Sequence, residues 1–450
     1  MNTRAIAGIA ITLGVLAVGA THAAAQTPGP TPAGLTVAVT GSDSTDCGTA
    51  ASPCKTITQA LANAAAGATI TVQSGAYKEM VTVSKPVVLL GQQGTTVDAT
   101  GLVNGILVRA PGTTVSGFTV RNALGEGILA LFVSNVTISY NTVVNNDKGA
   151  HTSVTRECQD AGSVPGDCGE GLHLMGVANS RVFNNDIEQN VGGLLVTDEV
   201  GPTHDNVISA NTVVKNQEDC GITLASHNAQ AVSVSGQRQP EKGGVFNNRI
   251  DGNSVADNGD GGIGIFAPFP GASAYDNVVS NNVISGNGMP GIAVHAHAPN
   301  QDMNGNTFMN NKIDKNNVAG DPDAGDMQTT GILLSSVVGP ITGTTITGNQ
   351  VSNNTFGIWV TANVATNGFA ANTFASVGTQ LQVQPRTAPP SAPAPPRTGN
   401  GVAHETARSL NFELAAPGGV ALLVGAGSLF AIAWWRKRVR ESVAPPRDLP

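Results

Sequence analysis

A short unit returns along this chain, and it restricts the fold more than any other feature. Asn-x-Val/Ile-x-x-Asn occurs with its two asparagines at 141/146, 185/190, 211/216, 253/258, 282/287, 311/316 and 349/354. After each copy comes a glycine followed by an aliphatic residue, at Gly171, Gly193, Gly221, Gly262, Gly291, Gly331 and Gly357. In Gly221-Ile222-Thr223-Leu224 and Gly357-Ile358-Trp359-Val360 the aliphatic side chains stand two residues apart, which sends both to one face of a strand. A single such unit cannot cover its own apolar face. The units must therefore stack at about 4.8 Å, the spacing of hydrogen-bonded strands, into a coil of parallel strands.

Asparagine at a fixed place suits a corner with left-handed backbone geometry, and stacked amides can bond to the coils above and below, so the repeat predicts an asparagine ladder along one edge. The step between glycines runs from Gly171 to Gly193 at its shortest and from Gly221 to Gly262 at its longest. The excess must leave the coil as insertions, which stand out at Asp147 to Gly169, His227 to Gly243 and Asn317 to Thr330.

Over residues 35–383 this pattern resembles the right-handed parallel β-helix proteins of the pectin-lyase-like superfamily. The opening Pro53-Cys54-Lys55-Thr56-Ile57-Thr58-Gln59-Ala60-Leu61, then Gly67-Ala68-Thr69-Ile70-Thr71-Val72 and Gly75-Ala76-Tyr77-Lys78-Glu79, is similar to the start of many exported members. The expected class is all-β, a right-handed parallel β-helix solenoid. A short amphipathic helix from Thr56 to Ala66, with Ile57, Ala60, Leu61 and Ala64 on one side, would plug its N-terminal end. The resemblance speaks to fold; the superfamily mixes lyases, hydrolases, epimerases, adhesins and proteins without known activity.

The chain ends give an expected address. Residues 1–25, with Arg4, an apolar run from Ala5 to Ala20 and Ala23-Ala24-Ala25, have the pattern of a secretory signal cleaved after Ala25; an uncleaved anchor is the alternative. Residues 26–34 read as a linker and residues 384–414 as a Pro-rich and polar stalk. Residues 415–435 are apolar, end in two tryptophans and precede Arg436-Lys437-Arg438, which predicts a single C-terminal transmembrane helix with a basic cytoplasmic tail at 436–450. The β-helix would then face outward from what the composition suggests is a bacterial envelope. A formal net charge of -8 argues against nucleic acid as a partner. In an exported chain, Cys47 with Cys54 and Cys158 with Cys168 are the expected disulfides, leaving Cys220 half buried. The cysteines contain no CxxC pair, and no metal site is expected from them.

On the strand that opens at each glycine, the second and fourth following residues should face solvent and stack into columns. One column is His173, Leu195, Thr223, Gly264, Ala293, Leu333 and Trp359; the next is Met175, Thr197, Ala225, Phe266, His295, Ser335 and Thr361. Glu199, His227 and His297 follow two residues further on, and Glu170, Asp198, Glu218, Asp219 and Asp260 lie at the strand ends. Carboxylates along such a face can act as acid and base on a glycosidic bond, or hold a cation such as Ca²⁺ that neutralises uronates. Glu218, Asp219, Asp198 and His173 are the candidate catalytic groups, and Glu170, Glu199, His227, His295 and Trp359 the candidate ligand contacts.

Asn216-Gln217-Glu218-Asp219-Cys220-Gly221 resembles the paired-acid segment of polygalacturonases, without that family's later GHG and RIK motifs. Arg156, Lys215, Lys242 and Arg249 are available as a pectate-lyase-type base, in no recognisable motif. Thr203-His204-Asp205-Asn206 echoes the DPHD motif of alginate epimerases, without its Asp-Pro and on the asparagine-bearing strand. The leading expectation is a membrane-tethered β-helix that binds polysaccharide, with cleavage by lyase or hydrolase chemistry left open. Its rival is a non-catalytic surface-display, adhesin or scaffold protein with a protein partner. A third reading, an envelope accessory to metal-centre assembly, rests on His227, His295 and His297.

Overall fold

A computed structural model describes residues 34–149, 170–227 and 243–383, apart from 268–269, 297–298, 323, 337–338, 362–363 and 368. Every strand pairing within them is parallel, in three long sheets of 12, 11 and 11 strands and a short one of three. One coil shows the plan. Gly192–Thr197 lies in the glycine wall, Val207–Ser209 in a second wall and Thr212–Val214 in a third, before Ile222–Ala225 re-enters the glycine wall one coil on. In this coil the strands of the second and third walls bury only their central residue, Ile208 and Val213. These residues join Leu194, Val196 and their equivalents in one continuous core running the length of the coil. Each fully buried aliphatic side chain contributes about 1.5–3 kcal/mol, so no one coil is stable without its neighbours.

The asparagines of the repeat occupy two corners, and a third corner repeats the arrangement five residues earlier. Asn206, Asn211 and Asn216 in one coil stack on Asn248, Asn253 and Asn258 in the next. At most steps the backbone N–H and the side-chain amide donate to the Oδ1 of the next asparagine, while the same amide also donates to a carbonyl of the coil below, as in Asn253 to Ile208 O at 3.0 Å. The sequence predicted one ladder with asparagine in the left-handed region. Instead, the left-handed residue is the one before: Ala210 (φ 53°), Lys215 (φ 57°) and Asp257 (φ 56°) turn the corner and aim the following asparagine inward. Glycine at the strand entrance follows from the same packing. A Cβ on Gly221 would come within 2.7 Å of Asn258 Nδ2 and 2.3 Å of Val255 Cγ1.

The N-terminal helix is shorter than expected, Ile57–Asn63, with Ile57, Ala60 and Leu61 buried. Thr56 Oγ1 accepts from Gln59 N, and the Glu79 carboxylate accepts from Ile57 N and Thr58 N, which satisfies the orphan donors of its first turn. Beside it, Cys47 and Cys54 form a disulfide. Cys158 and Cys168, the N-terminal segment, the stalk and the expected membrane span at 415–435 lie outside the described residues. Among the described residues no helix is long and apolar enough to cross a membrane.

Candidate functional site

The two columns on the glycine wall exist in the expected register. His173 pairs with Leu195, then Thr223, Gly264, Ala293, Leu333 and Trp359; Met175 pairs with Thr197, then Ala225, Phe266, His295 and Ser335. Their environment differs from the expectation. Neither column from His173 to Trp359 or from Met175 to Ser335 faces solvent, and His173 and His295 are 0% exposed. The outward residues are themselves apolar enough to cohere: Leu107, Leu129, Leu131 and Met175 form one cluster, and Leu195, Cys220, Ala225 and Phe266 another. An open groove in which these columns are solvated is therefore corrected to a buried layer with polar groups set into it. Cys220, expected half buried, is 2% exposed, and burial beside Asp219 and Asp260 pushes its thiol well above the ordinary range. His297 lies outside the described residues.

Set into this layer, His173, His227 and His295 each meet a carboxylate from another part of the chain. His173 Nδ1 is 3.0 Å from Glu126 Oε1, and its Nε2 is 2.8 Å from Thr197 Oγ1. His227 Nδ1 is 2.6 Å from Glu199 Oε1. His295 Nε2 is 2.9 Å from Asp321 Oδ2, a residue of the insertion after Asn317, and packs edge-on against Phe266. All six side chains are buried.

Asp198 and Glu199 follow the end of their strand, so the register that places Thr197 beside Ala225 brings them beside Ser226 and His227 of the next coil. Ser226 Oγ donates to Asp198 Oδ2 at 2.9 Å and His227 N donates to Oδ1 at 2.7 Å. Burial, reinforced by the neighbouring Glu199, raises the Asp198 pKa to about 6, with His227 and the two hydrogen bonds opposing. Asp326, which exchanges backbone hydrogen bonds with Asp321, is likewise pushed up by burial.

The acid pair of the Glu218-Asp219 string does not form a unit: Glu218 is exposed, whereas Asp219 is buried at 1% exposure. Asp219 instead lies across Gly192 from Glu170, since a Cβ built on Gly192 would meet Glu170 Cγ at 3.0 Å and Asp219 Cβ at 3.5 Å. Trp359 stands four coils beyond Thr223 in the first column, remote in register from His173. His204 of the DPHD-like string sits in the short fourth sheet, 2.7 Å from Asp205 and stacked on Phe246, apart from the glycine wall.

Glu126 is the participant the repeat did not reveal. It stands one coil before Glu170, in Gly125-Glu126-Gly127-Ile128, the same pattern as Gly169-Glu170-Gly171-Leu172. Its Oε2 accepts from Glu170 N at 3.1 Å, and its own N–H is held by Asn104 Oδ1 at 3.0 Å. Among the described residues, Glu126, Glu170 and His173 bring one ligand-capable atom each within 4.8 Å of one another.

The sequence matches the family described as right handed beta helix region over residues 104–238 and 243–325. Together with the stacked parallel walls, this decides the fold. The chain is a right-handed parallel β-helix. No curated protein matches it in sequence. Solved structures with similar coils include the Azotobacter vinelandii mannuronan C-5 epimerase AlgE4 A-module, 18% identical, covering 72% of this chain and 90% of that one at a TM-score of 0.48. Pectate lyase Pel9A is 13% identical, covering 79% of each chain at a TM-score of 0.44. Alginate lyase from Paenibacillus sp. str. FPU-7 is 13% identical, covering 72% of this chain and 96% of that one at a TM-score of 0.38. Likeness at this level concerns how the β-helix coils and leaves its chemistry to the side chains.

Proposed function

We propose that this β-helix binds and processes an acidic polysaccharide at the glycine wall, with Asp198 as proton donor and His227 as proton acceptor. The observation that carries the reading is the Asp198 carboxyl, held protonated up to about pH 6 beside the Glu199–His227 pair. A neutral carboxylic acid can donate to a uronate carboxylate or to a leaving oxygen, which an ionised one cannot. When His227 donates from Nδ1 to Glu199, its lone pair lies on Nε2, the atom that would abstract a proton beside the uronate carboxylate. Glu199 fixes that tautomer and supports the imidazolium that forms. The reading agrees with the mannuronan epimerase, pectate lyase and alginate lyase among the similar structures, but rests on the site. It keeps the expected export and C-terminal membrane anchor as part of the proposal.

Burial of all three groups favours a second reading, in which the network only rigidifies a display scaffold for a protein partner. The two diverge on one experiment. The purified full-length protein is incubated with alginate and polygalacturonate, and unsaturated uronates, new reducing ends and the epimer ratio are followed between pH 4 and 8. We expect product, with kcat/KM falling as the pH rises through about 6, and a loss of about 10² or more in Asp198→Asn. Absence of product and of polymer binding at every pH would leave the scaffold reading standing.

A further inference from the structure

We infer that Glu126, Glu170 and His173 form a binding site for one divalent transition-metal ion of the zinc or manganese class. This goes beyond the polysaccharide reading and does not depend on it. The donors come from two successive coils whose register is fixed by Ile128 against Leu172, so the two glutamates are stacked neighbours and His173 stands next to them on the same outer face. Their ligand-capable atoms already lie within 4.8 Å of one another, with His173 Nδ1 and Glu126 Oε1 3.0 Å apart. Ligands around an ion at about 2.0–2.2 Å sit roughly 3–4 Å from each other, so small rotamer adjustments would close the set.

Chemistry and surroundings point the same way. Glu126, Glu170 and His173 are all at most 1% exposed, and Asp219 adds a further carboxylate across Gly192. Buried carboxylates are costly unless paired or bound to a metal, and a divalent ion neutralises two of them while taking the imidazole as a neutral ligand. An imidazole with two carboxylates suits zinc, manganese or iron(II); calcium would require more oxygens.

The supporting residues are also in place. Thr197 Oγ1 lies 2.8 Å from His173 Nε2, where it orients the ring as an outer partner does for a ligating histidine. Asn104 Oδ1 holds the Glu126 backbone, and Gly192 leaves open the position where a Cβ would stand 3.2 Å from Glu170 Oε1. The coil after Glu170 thus carries glycine where a third glutamate of the series would crowd the carboxylate.

The test uses the full-length protein, stripped with chelator and then titrated with Zn²⁺ or Mn²⁺ alone, with no glycan present. Calorimetry and elemental analysis after gel filtration should give about one ion per chain and a raised Tm. Glu170→Gln and His173→Gln should each weaken binding at least as much as loss of an outer partner does, about 10–100-fold, and Thr197→Val by about tenfold. Glu218→Gln, outside the cluster, should leave it unchanged. Should either substitution unfold the chain, Glu126→Gln serves instead, with circular dichroism confirming the coil. Failure to bind either ion, or equal binding by the parent and by folded Glu170→Gln or Glu126→Gln, overturns the site. Because no glycan is involved, that result leaves the acid–base reading of Asp198 and His227 untouched.

Discussion

Two buried polar systems run along this β-helix and obey opposite rules. At the corners, Asn211, Asn253, Asn282 and Asn311 are neutral, identical and mutually bonded, each donating to the next and to a carbonyl below. On the glycine wall, Glu126 with His173, Glu199 with His227 and Asp321 with His295 are ionisable, dissimilar, and placed on different coils without a period. A ladder of amides satisfies itself wherever it is extended, because each rung supplies what the next one lacks. Charged pairs cannot be extended this way: each buried pair must be compensated individually. Repetition therefore marks the polar groups that build this molecule, and its failure marks those proposed to act.

The contrast can be broken most severely within a ladder. Asn253→Ala removes the acceptor of Asn211 N and Nδ2 and the donor to Ile208 O and Asn282 Oδ1. At about 1–3 kcal/mol for each group left buried and unsatisfied, a loss of about 3–6 kcal/mol is expected in urea unfolding. The same change at the end of the neighbouring ladder, Asn354→Ala, strips the acceptor from Asn316 N and should cost only about 1–3 kcal/mol. Equal losses at the two positions would show that ladder continuity is irrelevant.

For the glycine wall the expected sign reverses. Folding raises the Asp198 pKa from 3.8 to about 6, so the folded state holds this proton more tightly than the unfolded chain does. The associated stability is complete below pH 3.8 and is lost as the pH rises through about 6, a change of about 3 kcal/mol. Asparagine has the shape of the protonated acid, able to accept from His227 N and to donate towards Ser226. Asp198→Asn should therefore unfold with the parent at pH 4 yet be more stable than it by up to about 3 kcal/mol at pH 8, as chemical denaturation at the two pH values will read. A variant less stable at both would place Asp198 among the structural groups.

The smallest effect sharpens the corner account. Ala210 has φ 53° immediately before its ladder asparagine, the place that Gly252 (φ 67°) fills one coil on. Ala210→Gly should relieve left-handed strain and raise stability by about 1 kcal/mol or less.

Much of this was readable in the residues, and the omissions have physical causes. The pairs Asn211/Asn216 and Asn253/Asn258 located two corners, but Asn206 and Asn248, five residues before each pair, revealed a third only as a ladder in space. The tolerance of asparagine for left-handed geometry points to asparagine itself as the turn residue; the coil gives that conformation to its predecessor, whose side chain is free to be Ala, Lys or Asp on the outside. Glu126 repeats the Gly-Glu-Gly of Glu170 but precedes the first asparagine pair, so a repeat counted from Asn141 passes over it. Glu218 and Asp219 are adjacent in sequence, which suggests a pair, although alternation along an extended backbone sends neighbours to opposite sides.

By itself, the amino-acid order determined the coil: strand spacing, aliphatic alternation and recurring Asn and Gly are local features, and stacking is the only way such units can cover their apolar faces. Which histidine meets which acid was decided by the tertiary structure alone. Insertions of unequal length shift the linear distance between coils without changing the vertical register, so Glu126 and His173, 47 positions apart, become hydrogen-bonding partners. Burial, too, belonged to three dimensions, because an outward strand position is solvated or enclosed according to what packs over it, and the residues of the strand carry no record of that.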